Sequence, residues 1–140
     1  MYANIITAND ANMTYIIYKE LSFFLIGLLF EIHNKLGGSF EEKYYQRAIE
    51  KKLLESKIKY SKELKADLFL DNDKIGNYFL DFLIEDKIIL ELKTVPKLLP
   101  IHFRQVKSYL KAKNLKLGIL VNLRGAKVQY KRILNATAAE

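Results

Sequence analysis

Cysteine and tryptophan are absent from the 140 residues, and there are only two prolines and two histidines. Without thiols the chain has no disulfide framework, no thiolate metal site and no Cys nucleophile, and nothing in it calls for an oxidising compartment. A cytoplasmic location is expected. Long apolar spans are missing too. The most hydrophobic stretch, LSFFLIGLLF from Leu21 to Phe30, is bracketed by Glu20 and Glu31 and falls well short of the ~20 residues a bilayer requires. It reads as a buried helix. The opening residues carry neither a basic n-region nor a cleavage site of the secretory kind. Residues 1–13 are expected to form a flexible tail, 14–134 a single domain and 135–140 a C-terminal tail, with no membrane partner.

The remaining scarcity is of acid in the second half. Between Leu92 and Ala139 stand eleven Lys or Arg and no Asp or Glu, while the first 91 residues are slightly acidic, within a net charge of +7. One side of the fold must carry a positive field. That suits a polyanion such as nucleic acid, against the plainer reading of a solvated lysine-rich surface.

What is present has a clear period. From Thr14 to about Leu36, Ile17, Leu21, Phe24, Leu28 and Ile32 recur at helical spacing, and Gly37-Gly38 ends the run. Ser39 can cap a second helix from Phe40 to about Glu55, with Glu42 three residues on, where a capping box would use it. From about Leu64 the period becomes two. LKADLFLD, GNYFLDFLIE and KIILELK read as a meander of three strands, with turns at Asp71–Lys74 and Glu85-Asp86. IHFRQVKSYLKAKN then reads as a helix with Ile101, Val106, Tyr109 and Leu110 inward, followed by strands KLGILVN and KVQYKRIL. Strand, helix, strand from Ile88 to Asn122 is the arrangement of a parallel crossover, so an α/β domain with a mixed sheet and the order ααβββαββ is predicted.

Three polar residues break the strand pattern. Glu91 and Lys93 share a face, being two apart. If Glu85-Asp86-Lys87 is a three-residue connection, Ile84 pairs with Ile88 and Asp81 falls opposite Glu91. Both faces of these strands are otherwise apolar: Phe79, Leu83 and Ile89 lie with the cluster, and Tyr78, Leu80, Phe82, Ile84, Ile88 and Leu90 lie opposite. The acids are therefore expected to be desolvated, which costs several kcal/mol per unpaired ion, in order of magnitude, and marks functional sites. Two close carboxylates need a cation between them. Lys93 is one candidate and a divalent metal another, and a hard oxygen donor set favours Mg²⁺ or Mn²⁺ over zinc.

An acid on one strand, Glu-x-Lys on the next and a following helix with Gln resembles the PD-(D/E)XK nuclease superfamily, here Asp81, then Glu91-Leu92-Lys93, then Gln105. LGGSFEEKYYQRAIEKKL, after a helix ending EIHNKL, is similar to the signature of its GxxExxY family, with Glu42 and Tyr45 at the motif's Glu and Tyr and Ser39 at its Gly; Leu80 stands where "PD" would have proline. The resemblance runs from about Tyr15 to Leu134. It implies a restriction-endonuclease-like core in which Asp81, Glu91 and the Leu92 carbonyl hold Mg²⁺ or Mn²⁺ and Glu42 is a further ligand through water. Lys93 would orient or help deprotonate the attacking water and steady phosphorane charge. DNA is the implied partner, and a homodimer is compatible with the fold. Tyr45, His102, Arg104, Lys107 and Lys111 are the candidate nucleic-acid contacts. Gln105 could position substrate or be an ordinary helix residue, His102 could simply satisfy a backbone group, and His33 is expected to be structural. A catalytically weak binding or interaction module that retains the fold is the competing function.

Overall fold

The computed structural model describes residues 17–138. The expected 1–13 tail lies outside them. Helices α1 (Lys19–Leu36) and α2 (Glu42–Glu55) precede strands β1 (Tyr60–Leu70), β2 (Asp73–Ile84) and β3 (Ile88–Lys93); α3 (Pro100–Lys113), β4 (Leu117–Asn122) and β5 (Gln129–Leu134) follow. This is the ααβββαββ order. The five strands form one mixed sheet in chain order, β1-β2-β3-β4-β5, antiparallel except for the β3–β4 pair joined by the α3 crossover.

Two apolar clusters fix which helix lies on which face. Leu21, Leu25, Leu28, Leu29 and Ile32 of α1, together with Tyr45, Ile49 and Leu53 of α2, pack against Phe82, Ile84, Leu90, Leu92, Ile119 and Val121. On the opposite face Val106, Tyr109 and Leu110 of α3 pack against Leu80, Ile89, Leu120 and Ile133. Removal of each such side chain from water is worth ~1.5–3 kcal/mol. Part of α1 stays open, since Phe23 and Phe30 are exposed, so the helix buries a stripe rather than its whole surface. Ile101 is likewise exposed, because it sits on the first turn of α3, short of the sheet.

Connections follow local chemistry. Pro100 opens α3, where its missing N–H costs nothing, and His102 Nδ1 accepts the Leu99 N–H at 2.9 Å. Left-handed Glu85 and Asp86, with Lys87 N donating to Ile84 O at 2.9 Å, close the β2–β3 turn, and Ile84 does pair with Ile88. Past β5 the chain is still fastened: buried Asn135 donates its Nδ2 to Leu115 O at 3.0 Å.

The expected capping box is not formed. Helix α2 starts at Glu42 behind an Glu41 N-cap that makes no side-chain bond. Ser39 instead belongs to a loop held by Tyr45, whose hydroxyl donates to Gly37 O and accepts the Phe40 N–H at 3.2 Å. Gly38 and Gly125 touch along their backbones, with Gly125 N donating to Gly38 O at 3.0 Å, and His33 Nε2 bonds Gly125 O at 2.9 Å. His33 is thus structural, as expected.

Candidate active site

The β2–β3 ladder stops at Phe82–Leu90, one step before Asp81 and Glu91. Beyond it the strands are joined through side chains. Asp81 N donates to Glu91 Oε1 at 2.9 Å, and Leu92 N donates to Asp81 Oδ2 at 2.8 Å, so each carboxylate replaces a rung of the ladder. The cause is local. On the other side of Asp81, β1 carries left-handed Glu63 (φ 56°) between the Lys62–Phe82 and Leu64–Leu80 pairs. A non-glycine residue in this region is strained and bends the strand. Face alternation breaks at the same point: Phe82 packs toward α1 and α2, whereas Leu80 and Tyr78 pack toward α3, and Phe79 is exposed. Strict alternation had placed Leu80 and Tyr78 with Phe82 and had Phe79 under cover.

Around this splay the structure gathers residues from four elements, β2, β3, α2 and α3. Glu91, only 4% exposed, carries Lys93 Nζ 3.4 Å from its Oε2. Burial first, then the Asp81 carboxylate, push the Glu91 carboxyl up to about 8, with Lys93 partly opposing them. Glu42, half-buried at the first position of α2, is also raised, by burial and then by Asp81, and lowered by Lys93. Glu42 is therefore within electrostatic reach of the same pair. From the next turn of α2, Gln46 Nε2 donates to Asp81 Oδ1 at 2.6 Å. Burial and the nearby Lys93 charge lower the His102 imidazole, which places the start of α3 beside the cluster as well.

The Gln105 side chain makes no hydrogen bond among the described residues; only its backbone carbonyl is engaged, accepting from the Tyr78 hydroxyl at 3.3 Å. Tyr45 is completely buried, so its ring has no surface to present to a nucleic acid and its role is to fasten the loop before α2. Arg104, Lys107 and Lys111 are exposed along α3. Arg132, one of the eleven basic residues, is turned inward to Ile17 O at 2.6 Å and Ser22 Oγ at 3.1 Å.

Two residues were not singled out from the sequence. Gln46 is one helical turn past Glu42, and that spacing alone could have found it. Asn122, buried opposite Lys93 on β4, accepts the Val95 N–H at 3.2 Å and donates to Val95 O at 2.8 Å, which anchors the chain just after Lys93. Its signal was a lone amide ending an apolar strand.

Among the described residues no three His, Asp or Glu side chains converge as a ready-made metal group. Asp81 and Glu91 each spend bonds on protein donors, but carboxylate oxygens keep a second lone pair. Two acids held above their usual range by burial and by Asp81, with Lys93 close to the carboxylate pair, form a donor set whose chemistry fits a hard divalent cation.

A mixed sheet with helices on both faces and a carboxylate pair plus lysine on two splayed strands defines a restriction-endonuclease-like α/β domain. The chain belongs to the PD-(D/E)XK nuclease superfamily, whose model matches residues 19–133. Nuclease-type chemistry is the class this membership carries. The structure of SSO0001 is similar in fold, with a TM-score of 0.52 at 20% identity, over 84% of this chain and 57% of that one. This chain therefore spans little more than half of that protein. No curated protein matches the sequence. Among the described residues no helix is long and apolar enough to cross a membrane.

Proposed function

We propose that the protein is a Mg²⁺- or Mn²⁺-dependent nuclease of the GxxExxY type that hydrolyses DNA phosphodiester bonds. The observation that carries this reading is the reciprocal Asp81–Glu91 brace, desolvated and beside Lys93. A divalent ion, when bound, supplies an acidified water and neutralises phosphate charge. Asp81, Glu91 and the Leu92 carbonyl are the residues that would hold it, with Glu42 acting through water. Gln46 keeps the Asp81 carboxylate oriented. Lys93 offers its ammonium to the charge that develops on the phosphate, a contribution made only in the transition state. Arg104, Lys107 and Lys111 on α3 provide exposed cations for the DNA backbone, and His102 and Gln105 lie on the same helix.

A second reading, a binding module with little activity, has one observation behind it: every oxygen of Asp81 and Glu91 already meets a protein donor. Thermal melts with and without Mg²⁺ or Mn²⁺, joined to a cleavage assay on plasmid, single-stranded and branched DNA, separate the two. For a nuclease, metal raises the melting temperature of the wild type. Asp81→Asn loses that increase and all cutting, whereas Lys93→Ala keeps the increase and loses cutting by at least about 100-fold. No metal effect and no cutting on any substrate would leave the binding module.

A further inference from the structure

Two large aromatics stand in water at the start of α2. Phe40 is 49% and Tyr44 42% exposed, and their rings meet edge to face with centroids 6.1 Å apart. They are not loosely placed. Phe40 is anchored by its N–H to the Tyr45 hydroxyl, and Tyr44 lies on the first turns of α2, two residues from Glu42. Cations lie against the Tyr44 ring: Lys43 Nζ is 5.2 Å from its centroid and Arg47 Cζ 5.7 Å. Glu41 partly neutralises Lys43 at 3.7 Å, while Arg47 forms no ion pair among the described residues.

The surroundings form a path. On one side of this turn a cleft of about 270 Å³ reaches Asp81 and Gln46; Lys43 and Arg47 border it, as do Glu50, Glu63 and Lys62, the last paired with Glu50 at 3.0 Å. On the other side a hollow runs from Phe40 and Glu41 to Arg124 and to Thr94, the residue after Lys93. The aromatic pair and its two cations thus stand at the start of α2, next to a cleft that reaches Asp81 and separate from the α3 cations. A stacking face flanked by cations suits nucleotides whose bases are free, because paired bases in a duplex have no open π-face.

We infer that Phe40 and Tyr44 form a stacking platform for an unpaired base of a single-stranded nucleic acid, with Arg47 and Lys43 on its flanking phosphates. The inference rests on the nuclease reading only for its connection to catalysis; the binding itself does not need cleavage.

The test is fluorescence anisotropy of labelled oligo-dT, oligo-U and a blunt duplex of equal length, in EDTA so that nothing is cut. Wild type binds a single strand, of DNA or RNA, more tightly than the duplex. Tyr44→Leu, which keeps apolar bulk without a π-face, weakens that binding about tenfold, and Tyr44→Phe retains it. Arg47→Gln reduces the slope of log affinity on log salt by about 0.7 for a single strand. A melting temperature of Tyr44→Leu within a few degrees of wild type shows that the loss is not unfolding. Equal affinity of Tyr44→Leu and wild type for both single strands overturns the platform, as does an equal loss on duplex and single strand. The two readings fail separately. Ring-dependent binding with no cutting in Mg²⁺ or Mn²⁺ sinks the nuclease and keeps the platform, whereas cutting without ring dependence does the reverse.

Discussion

Glu91 is where a single side chain feels the whole arrangement most strongly. Its carboxyl is raised to about 8, chiefly by burial, from the ~4.3 of an unfolded chain. The folded protein therefore holds a proton there that the unfolded chain has lost. The contribution to stability is intact below about pH 4.3 and is lost progressively as the pH climbs toward about 8. In EDTA, wild type should thus lose stability relative to Glu91→Gln between pH 5 and 8, by an amount on the order of a few kcal/mol. Paired urea melts across that range measure the difference. Parallel curves for the two proteins would mean that Glu91 titrates as an ordinary carboxylate. Gln46 offers a milder case at the same scale. Gln46→Ala removes the amide held 2.6 Å from Asp81 and should lower metal-dependent cleavage while leaving the fold within about 1 kcal/mol of wild type.

Among the elements, the loop between α1 and α2 is the tightest joint. A Cβ on Gly38 would fall 1.9 Å from the Gly125 carbonyl oxygen, which is backbone and cannot rotate aside. Gly38→Ala should part the two loops, break the Gly125–Gly38 bond and loosen His33, at a cost of about 1–3 kcal/mol or more, read from a thermal melt. An unchanged melt would show that the contact is slack. The order of elements was legible because the apolar period changes cleanly from helical to two near Leu64, and the Asp81–Glu91 juxtaposition was legible because three residues connect Ile84 to Ile88. Left-handed Glu63 was not, since a bend imposed on one strand by its neighbours leaves no mark in composition. Beside it, Leu80 and Tyr78 lie on the other face and Phe79 is exposed. Tyr45 read as a surface contact only through the motif resemblance; the packed loop shows its hydroxyl turned inward.

At the scale of the whole molecule, the charge asymmetry divides between surface and interior. Arg132 is spent on Ser22 and Ile17 O and Lys93 on Glu91, which leaves Arg104, Lys107, Lys111 and Lys113 of α3, with Lys97, Lys116, Arg124, Lys127 and Lys131, for the long-range field. Lys107 and Lys111, one turn apart and both exposed, should each contribute to duplex binding. Changing both to Glu should weaken it and flatten the salt slope by at least about 1, since each phosphate contact adds about 0.9. Filter binding from 50 to 200 mM salt gives that slope, and a slope like the wild type's would remove α3 from the interface. Strand order in the sheet is also chain order, β1 through β5, and this bears on how the protein is made. During synthesis every strand finds its neighbour already in place, so none has to be inserted between two earlier ones. The helices made first are served last. Leu21, Leu25 and Leu29 share one core with Ile119 and Val121, which leave the ribosome some ninety residues later, in the rough reckoning of chain order. A nascent chain thus pairs Asp81 with Glu91 while α1 still lacks part of its cover, and that greasy helix is the segment a holding chaperone would grip.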